Sequence, residues 1–348
     1  MQRLATRSAT APTDLGRRRL LAGMLLSGAA LTTWPKFGRA AQAGVDVLDF
    51  DWLDTTRNRA VPARLYWPEH AAAGNAMPLV VFSHGIGGSR NGYSYLGRYW
   101  ASHGYASLHV QHVGSDRNLW MGNPLGVVGR LQAAAQETEA MERARDVQFA
   151  LDRMLGGDAP TSIDRRRIIA AGHSYGANTT LLVVGAQVER DGRAIALHDP
   201  RFTAAVLISA PPFYGETDPA PVLRHVRVPT LHVTATEDVI RIPGYFSGAS
   251  DRVAVFEAVG DPRKTLVVFT GGSHSMFTDR AGTGGTTLNP QVKEATKELA
   301  LAFFRATFDD DAADLSNWGE RWRPIVSHAA GIALSSRVVL PAARGSAL

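Results

Sequence analysis

Ile168-Ile169-Ala170-Ala171-Gly172-His173-Ser174-Tyr175-Gly176-Ala177 reads as a buried strand that turns abruptly into a helix. Four consecutive apolar residues bounded by glycine suit a covered strand, and the small residues from Ala177 suit a helix packed tightly on its neighbours. Gly172 and Gly176 let the backbone pass close on either side of the turn. In a Gly-x-Ser-x-Gly turn of this kind the serine stands at the apex with its hydroxyl exposed, a nucleophile elbow, so Ser174 is the candidate nucleophile. A chain with 34 glycines also produces such pentapeptides by chance. The flanking strand and helix set this one apart, and its chemistry depends on an acid, a histidine and backbone donors elsewhere.

Working outward, short apolar runs alternate with longer helical patterns, the order that builds a mostly parallel central sheet with helices on both faces. Val45 to Trp52 and Ala63 to Trp67 are expected as leading strands. Pro78 to Ser83, Tyr105 to Val110, Arg167 to Gly172, Ala204 to Ser209, Thr230 to Thr234 and Thr265 to Phe269 follow. Gln132 to Met154 carries one helical period ending at Gly156-Gly157, and Asn289-Pro290 is expected to open a helix through Phe308, with Asn289 as its cap. No repeat or internal linker interrupts residues 44–348, which are expected to form a single domain. The pattern weakens after Asp309-Asp310-Asp311.

An elbow of this type takes its partners in the order serine, acid, histidine. Five of the 11 histidines lie beyond Ser174. His198 sits in a polar connection, His225 and His232 precede the best acid, and His328 lies in the tail. His274 remains, in Gly271-Gly272-Ser273-His274-Ser275 just after an expected strand. Asp238 is the preferred acid, because Thr236-Glu237-Asp238 follows the strand Thr230 to Thr234 and emerges at the edge to which Ser174 points; Glu237 is the alternative. His274 would take the Ser174 proton, and Asp238 would hold the imidazole tautomer and stabilise the imidazolium. An oxyanion hole needs backbone N–H groups aimed at the developing charge. Tyr175 supplies one expected donor, and Ser83-His84-Gly85-Ile86-Gly87-Gly88 supplies the other, Ile86 before Gly85. That loop lacks the Lys-Ser/Thr pair of a phosphate-binding loop.

Val81 to Gly88, Gly104-Tyr105, His112 to Asp116, Gly172 to Gly176 and Gly272-Ser273-His274 to Phe277 together resemble the α/β-hydrolases related to platelet-activating factor acetylhydrolase and to the bacterial predicted dienelactone hydrolases. The resemblance covers most of residues 45–308 and implies an α/β-hydrolase fold, a serine triad and, as second oxyanion donor, the residue after His-Gly, which is Ile86. True dienelactone hydrolases use a cysteine nucleophile. This chain has no cysteine, so serine chemistry is implied here.

Residues 1–43 hold seven basic side chains against one acid, Asp14, a net +6; with the whole chain at +5, the rest stands at −1. Such a remainder lacks the electrostatic footprint of a nucleic-acid binder. Arg17-Arg18-Arg19-Leu20-Leu21, an apolar stretch to about Thr33 and Ala41-Gln42-Ala43 form the pattern of a twin-arginine export signal cleaved after Ala43. The apolar stretch falls short of the ~20 residues that span a bilayer, so no stable membrane span is expected after cleavage. The expected location is periplasmic or secreted, with the twin-arginine machinery as partner.

His109 and His112 do not read as a metal pair: three apart on an extended segment they face opposite ways, with no ligand cluster beside them. His84 reads as a loop organiser. Gly85, Tyr214, Met276 and Phe277 are the expected substrate-binding residues, and Tyr93, Tyr95, Trp120, Met121 and Phe213 could join them in an apolar acyl pocket. The expected chemistry is cofactor-free and metal-free hydrolysis of short-chain or lipid-like carboxylic esters through an acyl-enzyme. Amide or polyester cleavage by the same residues, or a catalytically silent binder on the same fold, are the alternatives.

Overall fold

The computed structural model describes residues 44–69, 76–213, 215–242 and 245–332. The export-signal pattern of residues 1–43 and Tyr214 lie outside the described residues. Nine strands form one sheet: β1 (Val45–Asp54), β2 (Arg59–Pro68), β3 (Met77–Ser83), β4 (Ala106–Val110), β5 (Ile163–His173), β6 (Ala204–Ile208), β7 (Thr230–Ala235), β8 (Lys264–Phe269) and β9 (Val326–Ala330). Their order across the sheet is β1-β2-β4-β3-β5-β6-β7-β8-β9. The β1–β2, β2–β4 and β8–β9 pairs are antiparallel, and every pair from β4 to β8 is parallel.

Burial explains the strands. All of β3, β4, β6 and β7 is buried; β3 and β6 appear in the sequence as nearly continuous apolar runs, while β4 and β7 interleave apolar residues with Ser107, His109, Thr230, His232 and Thr234. Successive side chains nonetheless alternate between two cores. Leu79, Val81, Ala205 and Leu207 pack on one face with Ala144, Val147 and Leu151 of α3 (Glu137–Arg153), Leu181 of α4 (Tyr175–Val183) and Val255 of α5 (Ala249–Ala258). Val80, Phe82, Val206 and Ile208 pack on the other with Leu96 and Trp100 of α1 (Ser94–Ser102), Leu299 and Phe304 of α6 (Leu288–Phe308), and Trp318 of α7 (Ala313–Trp322).

Three expectations change. The helical period from Gln132 divides into α2 (Val127–Ala134) and α3, because Gln136 is extended (φ −66°, ψ 151°) and starts the second helix anew. Asn289 is not the cap of α6. Thr287 occupies that position, and Asn289 lies buried inside the first turn, donating from Nδ2 to the Thr283 carbonyl at 2.6 Å. The weakly patterned tail contributes α7 and then β9, which pairs antiparallel with β8 across an irregularity at Val268/Phe269. Two small hairpins, Gln187–Arg190 with Arg193–Ala196 and Ile240–Ile242 with Tyr245–Ser247, lie outside the main sheet.

Because β3, β5, β6, β7 and β8 run parallel, their carboxyl ends share one edge. Ser83 pairs with Gly172, His173 with Ile208, and Phe269 with Ala235. Residues 84–88, 174, 236–238 and 271–274 therefore leave the sheet side by side although far apart in sequence.

Candidate active site

Ser174 occupies the turn between β5 and α4 with φ 55° and ψ −124°. Such a backbone costs of order 1–3 kcal/mol and persists only where its surroundings impose it. Two glycines do so here. A Cβ on Gly172 would run into the Gly176 carbonyl, and one on Gly176 into the Ser83 carbonyl, well inside van der Waals contact. The Ser174 N–H is tied to the Ile208 carbonyl at 2.9 Å, fixing the apex to the end of β6.

The Ser174 hydroxyl stands 2.7 Å from His274 Nε2, and His274 Nδ1 stands 2.7 Å from Asp238 Oδ1. Since a carboxylate can only accept, Nδ1–H donates to Asp238, and Nε2 is left to accept from the serine. Asp238 is fully buried, and its second oxygen accepts from Thr234 Oγ1 at 2.8 Å and from the Ser209 hydroxyl. Arg252 Nη2 lies 3.5 Å from Oδ1. Burial alone would push this carboxyl up; the hydrogen bond and charge of His274, the Arg252 guanidinium and the Ser209 hydroxyl outweigh it and hold Asp238 well below the usual carboxylate range. Glu237, the alternative acid, is exposed and hydrogen-bonds to none of these side chains.

Residues 84–88 run against the elbow. A Cβ on Gly85 would sit 3.3 Å from Ser174 Cβ, closer than nine in ten real contacts. Several of the loop's polar groups are committed. Gly87 N–H donates to the Ser115 carbonyl at 2.8 Å, Gly88 N–H to the Gly85 carbonyl at 3.0 Å, and His84 Nδ1–H to the same Gly85 carbonyl at 2.7 Å. His84 Nε2 accepts from the His112 N–H at 3.1 Å, so His84 organises the loop. The N–H groups of Ile86 and Tyr175 have no hydrogen-bond acceptor among the described residues, and both residues border the same space as Ser174. Tyr175 also opens α4, where the helix dipole favours negative charge.

That space is a cavity of about 1170 Å³ whose wall includes Ile86, Ser174, Tyr175 and His274 together with apolar side chains such as Leu131, Met141, Leu182, Ile195 and Phe213. Gly85, Tyr93 and Trp120 also reach it. Met276 and Phe277 do not. Both are fully buried in the core beside Phe269 and Leu299, so their place in the sequence motif reflects packing under the His274 loop. Tyr95 donates its hydroxyl to the Phe277 carbonyl, and Met121 is exposed.

A second set has the same connectivity: His112 lies 3.1 Å from Ser83 Oγ and 3.1 Å from Asp146. All three are buried, none borders the cavity, and Asp146 is clamped by Arg57 and Arg59. It braces β3 against α3. His109 is likewise spent within the fold, on the Gly92 carbonyl and the Ser107 hydroxyl.

A solved structure, a ferulic acid esterase from Streptomyces cinnamoneus, superposes with a TM-score of 0.58 at 20% identity, covering 78% of this chain and 92% of that one. The chain has the α/β-hydrolase fold. Within this chain, residues 53–118 match the family model for platelet-activating factor acetylhydrolase, isoform II. The platelet-activating factor acetylhydrolase of Cavia porcellus is 26% identical over 154 residues, 35% of this chain and 34% of its own length. The Bos taurus protein of the same name is 28% identical over 148 residues, 33% of each. The chain thus spans about a third of the length of the curated relatives it matches.

Several groups that shape the site carry no sequence signal. Ser209 and Thr234 meet Asp238 only because β6 and β7 end together, and Arg252 reaches it from α5. Arg143 of α3 is fully buried, donating to Thr179 Oγ1, Ser115 Oγ and the His84 carbonyl. An arginine in the middle of a charged helix reads as a solvated face, so neither its burial nor its contacts could be foreseen.

Proposed function

We propose that this α/β-hydrolase cleaves carboxylic esters through a covalent acyl-enzyme on Ser174. One observation carries the reading: a serine hydroxyl, an imidazole and a buried carboxylate in line at 2.7 Å and 2.7 Å, open to an apolar cavity beside two uncommitted backbone N–H groups. The names of the proteins it resembles, an acetylhydrolase and an esterase, point to the same bond.

In the proposed sequence His274 Nε2 takes the Ser174 proton as Oγ attacks the ester carbonyl carbon, and the carbonyl oxygen becomes an oxyanion facing the Ile86 and Tyr175 N–H groups. Collapse breaks the bond to the alkoxy oxygen, which leaves as an alcohol with the proton from Nε2. Water then attacks the acyl carbon, giving its proton to Nε2, and the second collapse frees the acid and restores Ser174. Asp238, held ionised, supports the imidazolium in both halves. Apolar walls suit short-chain or lipid-like acyl and alkyl groups, with no cofactor needed.

The test is hydrolysis of a nitrophenyl ester series by wild type and Ser174→Ala. The expected result is turnover by wild type and a loss of about a millionfold in the folded variant. Retained hydrolysis by Ser174→Ala would remove the serine from the mechanism.

We also propose export through the twin-arginine pathway with cleavage after Ala43, on the strength of Arg17-Arg18-Arg19 and Ala41-Gln42-Ala43. Among the described residues no helix is long and apolar enough to cross a membrane. An N-terminus at Gly44 in material recovered from the periplasm is the expected result, and retention of Met1 in cytoplasmic protein alone would refute it.

A further inference from the structure

Three hydrogen bonds run in series behind the candidate site. The Gly85 N–H donates to Tyr93 Oη at 3.3 Å, Tyr93 Oη lies 2.8 Å from His173 Nδ1, and His173 Nε2 lies 3.0 Å from the main-chain carbonyl of His274. The protons have one consistent arrangement. A carbonyl only accepts, so His173 must carry its hydrogen on Nε2; Nδ1 is then an acceptor, and Tyr93 O–H donates to it. Gly85 N–H completes the phenol oxygen's bonds. Each member is satisfied, and the chain joins the residue before Ile86 to the backbone of His274.

The geometry points to Tyr93 and His173 as a positioning pair that locks the His274 main chain to the loop carrying the Ile86 N–H. The inference rests on the proposed serine mechanism and adds two residues that touch neither the Ser174–His274 bond nor the His274–Asp238 bond.

Three features say that the strap is built rather than incidental. Tyr93 and His173 are only 4% and 3% exposed, so the bonds lie where water does not compete. Tyr93 is held at φ 58°, ψ 31°, a left-handed backbone uncommon for a bulky residue, and from there its ring reaches both Gly85 and His173. Gly85 leaves little room for a side chain: a Cβ would stand 3.2 Å from His173 Nδ1 and 3.3 Å from Tyr93 Oη, tighter than nine in ten real contacts.

The need for a strap lies in the His274 loop. Gly271 and Gly272 precede the histidine with φ 71° and 82°, a hinge-like pair that does little to fix the segment by itself. His274 must nevertheless keep both ring nitrogens in register with partners on two other loops. His173, the neighbour of Ser174 in sequence, fastens its backbone to the elbow, and the ring centroids of His173 and His274 are 4.8 Å apart. Burial first, and then the charge of His274, push His173 down to about 3, so it stays neutral beside the imidazolium.

The experiment compares wild type with His173→Leu, His173→Gln and Tyr93→Phe, reading kcat and KM on a nitrophenyl ester, the rate of phosphonylation by a fluorophosphonate, and folding by circular dichroism. His173→Leu is expected to lower kcat and phosphonylation by about tenfold to a hundredfold, the cost of a misplaced group, with KM within about twofold. His173→Gln keeps an N–H that can reach the His274 carbonyl and is expected to recover most of that loss. Tyr93→Phe frees His173 to take the other tautomer and is expected to lower kcat several-fold with KM unchanged. A folded His173→Leu with wild-type kcat overturns the inference, as does a His173→Gln no better than His173→Leu. Should His173→Leu not fold, Tyr93→Phe decides: a wild-type kcat overturns the pair. A wild type that neither turns over nor labels would instead overturn the serine mechanism itself.

Discussion

The guanidinium carbon of Arg143 lies 4.4 Å from the centroid of the Tyr175 ring, while its Nη2 donates to the His84 carbonyl. One buried cation thus touches both segments that present uncommitted N–H groups to the cavity. Burial pushes Arg143 down to about 10, so it remains charged at neutral pH. Its partners are hydroxyls, a carbonyl and a ring face, with the Glu139 carboxylate one step away through Ser115.

Arg143→Met should therefore cost both stability and activity. Leaving three buried acceptors without their donor is expected to lower the unfolding free energy by about 3 kcal/mol or more, and to lower kcat at least tenfold. Arg143→Lys should rescue little, because one ammonium cannot reach three acceptors in the plane of a fork. Urea unfolding and ester turnover check this; a Met variant within about 1 kcal/mol of wild type, fully active, would contradict it.

Asp238 owes its ionisation to named partners, and removing its charge should be felt at His274. Asp238→Asn is expected to reduce kcat on the order of ten thousandfold, because the amide favours the wrong imidazole tautomer. Ser209→Ala leaves Thr234 in place and should cost far less. Since the Asp238 carboxyl is held below its unfolded value, its contribution to stability is complete above about pH 4 and is lost as the pH falls further. An Asp238→Asn enzyme with near wild-type kcat would contradict the assignment.

The sequence showed most of the sheet, because a strand covered on both faces leaves an unbroken apolar run and the elbow leaves its glycines. Strands β3 and β6 and the second half of β5 announce themselves in this way, whereas β4 and β7 carry polar residues between their apolar ones. Ser174, Asp238 and His274 could be selected because chain order and strand ends restrict the choice, and the structure sets them 2.7 Å apart. The pocket was harder. Met276 and Phe277 carry the composition of an acyl site, yet a motif does not say which side of a loop faces the core, and both face inward. Asn289 before proline looks like a cap, but its amide is drawn back to Thr283. Tyr93, Arg143 and Ser209 act through contacts between distant segments, for which a single sequence has no periodic sign.

Among the described residues, five histidines, at 84, 109, 112, 173 and 232, are buried. Burial, the foremost cause for each, holds His109 down to about 4 and His173 and His232 to about 3, with His84 and His112 well below the ordinary value. A histidine whose folded value is depressed contributes stability that is complete above about pH 6.5 and is lost as the pH falls toward the folded value, at up to about 1.4 kcal/mol per pH unit. Unfolding near pH 5 should take up several protons, and the urea midpoint should fall steeply from pH 6.5 to 4.5. His232→Gln, away from the site, should reduce the slope by one proton. A midpoint flat over that range would contradict the burial of these side chains.

Two glycine substitutions separate crowding from conformation. Gly176→Ala drives a methyl into the Ser83 carbonyl and is expected to yield insoluble or inactive protein. Gly129→Ala, in α2 with nothing within 4 Å of the added carbon, should raise stability by about 0.5–1 kcal/mol. Melting temperatures check both, and a Gly176→Ala protein as stable as wild type would contradict the tight elbow.

The most direct measurement is peptide mapping of the protein after reaction with a fluorophosphonate. One adduct is expected, on the peptide that carries Ser174, with labelling abolished in Ser174→Ala and greatly slowed in His274→Ala. An adduct on another serine, or labelling that persists in Ser174→Ala, would contradict the account.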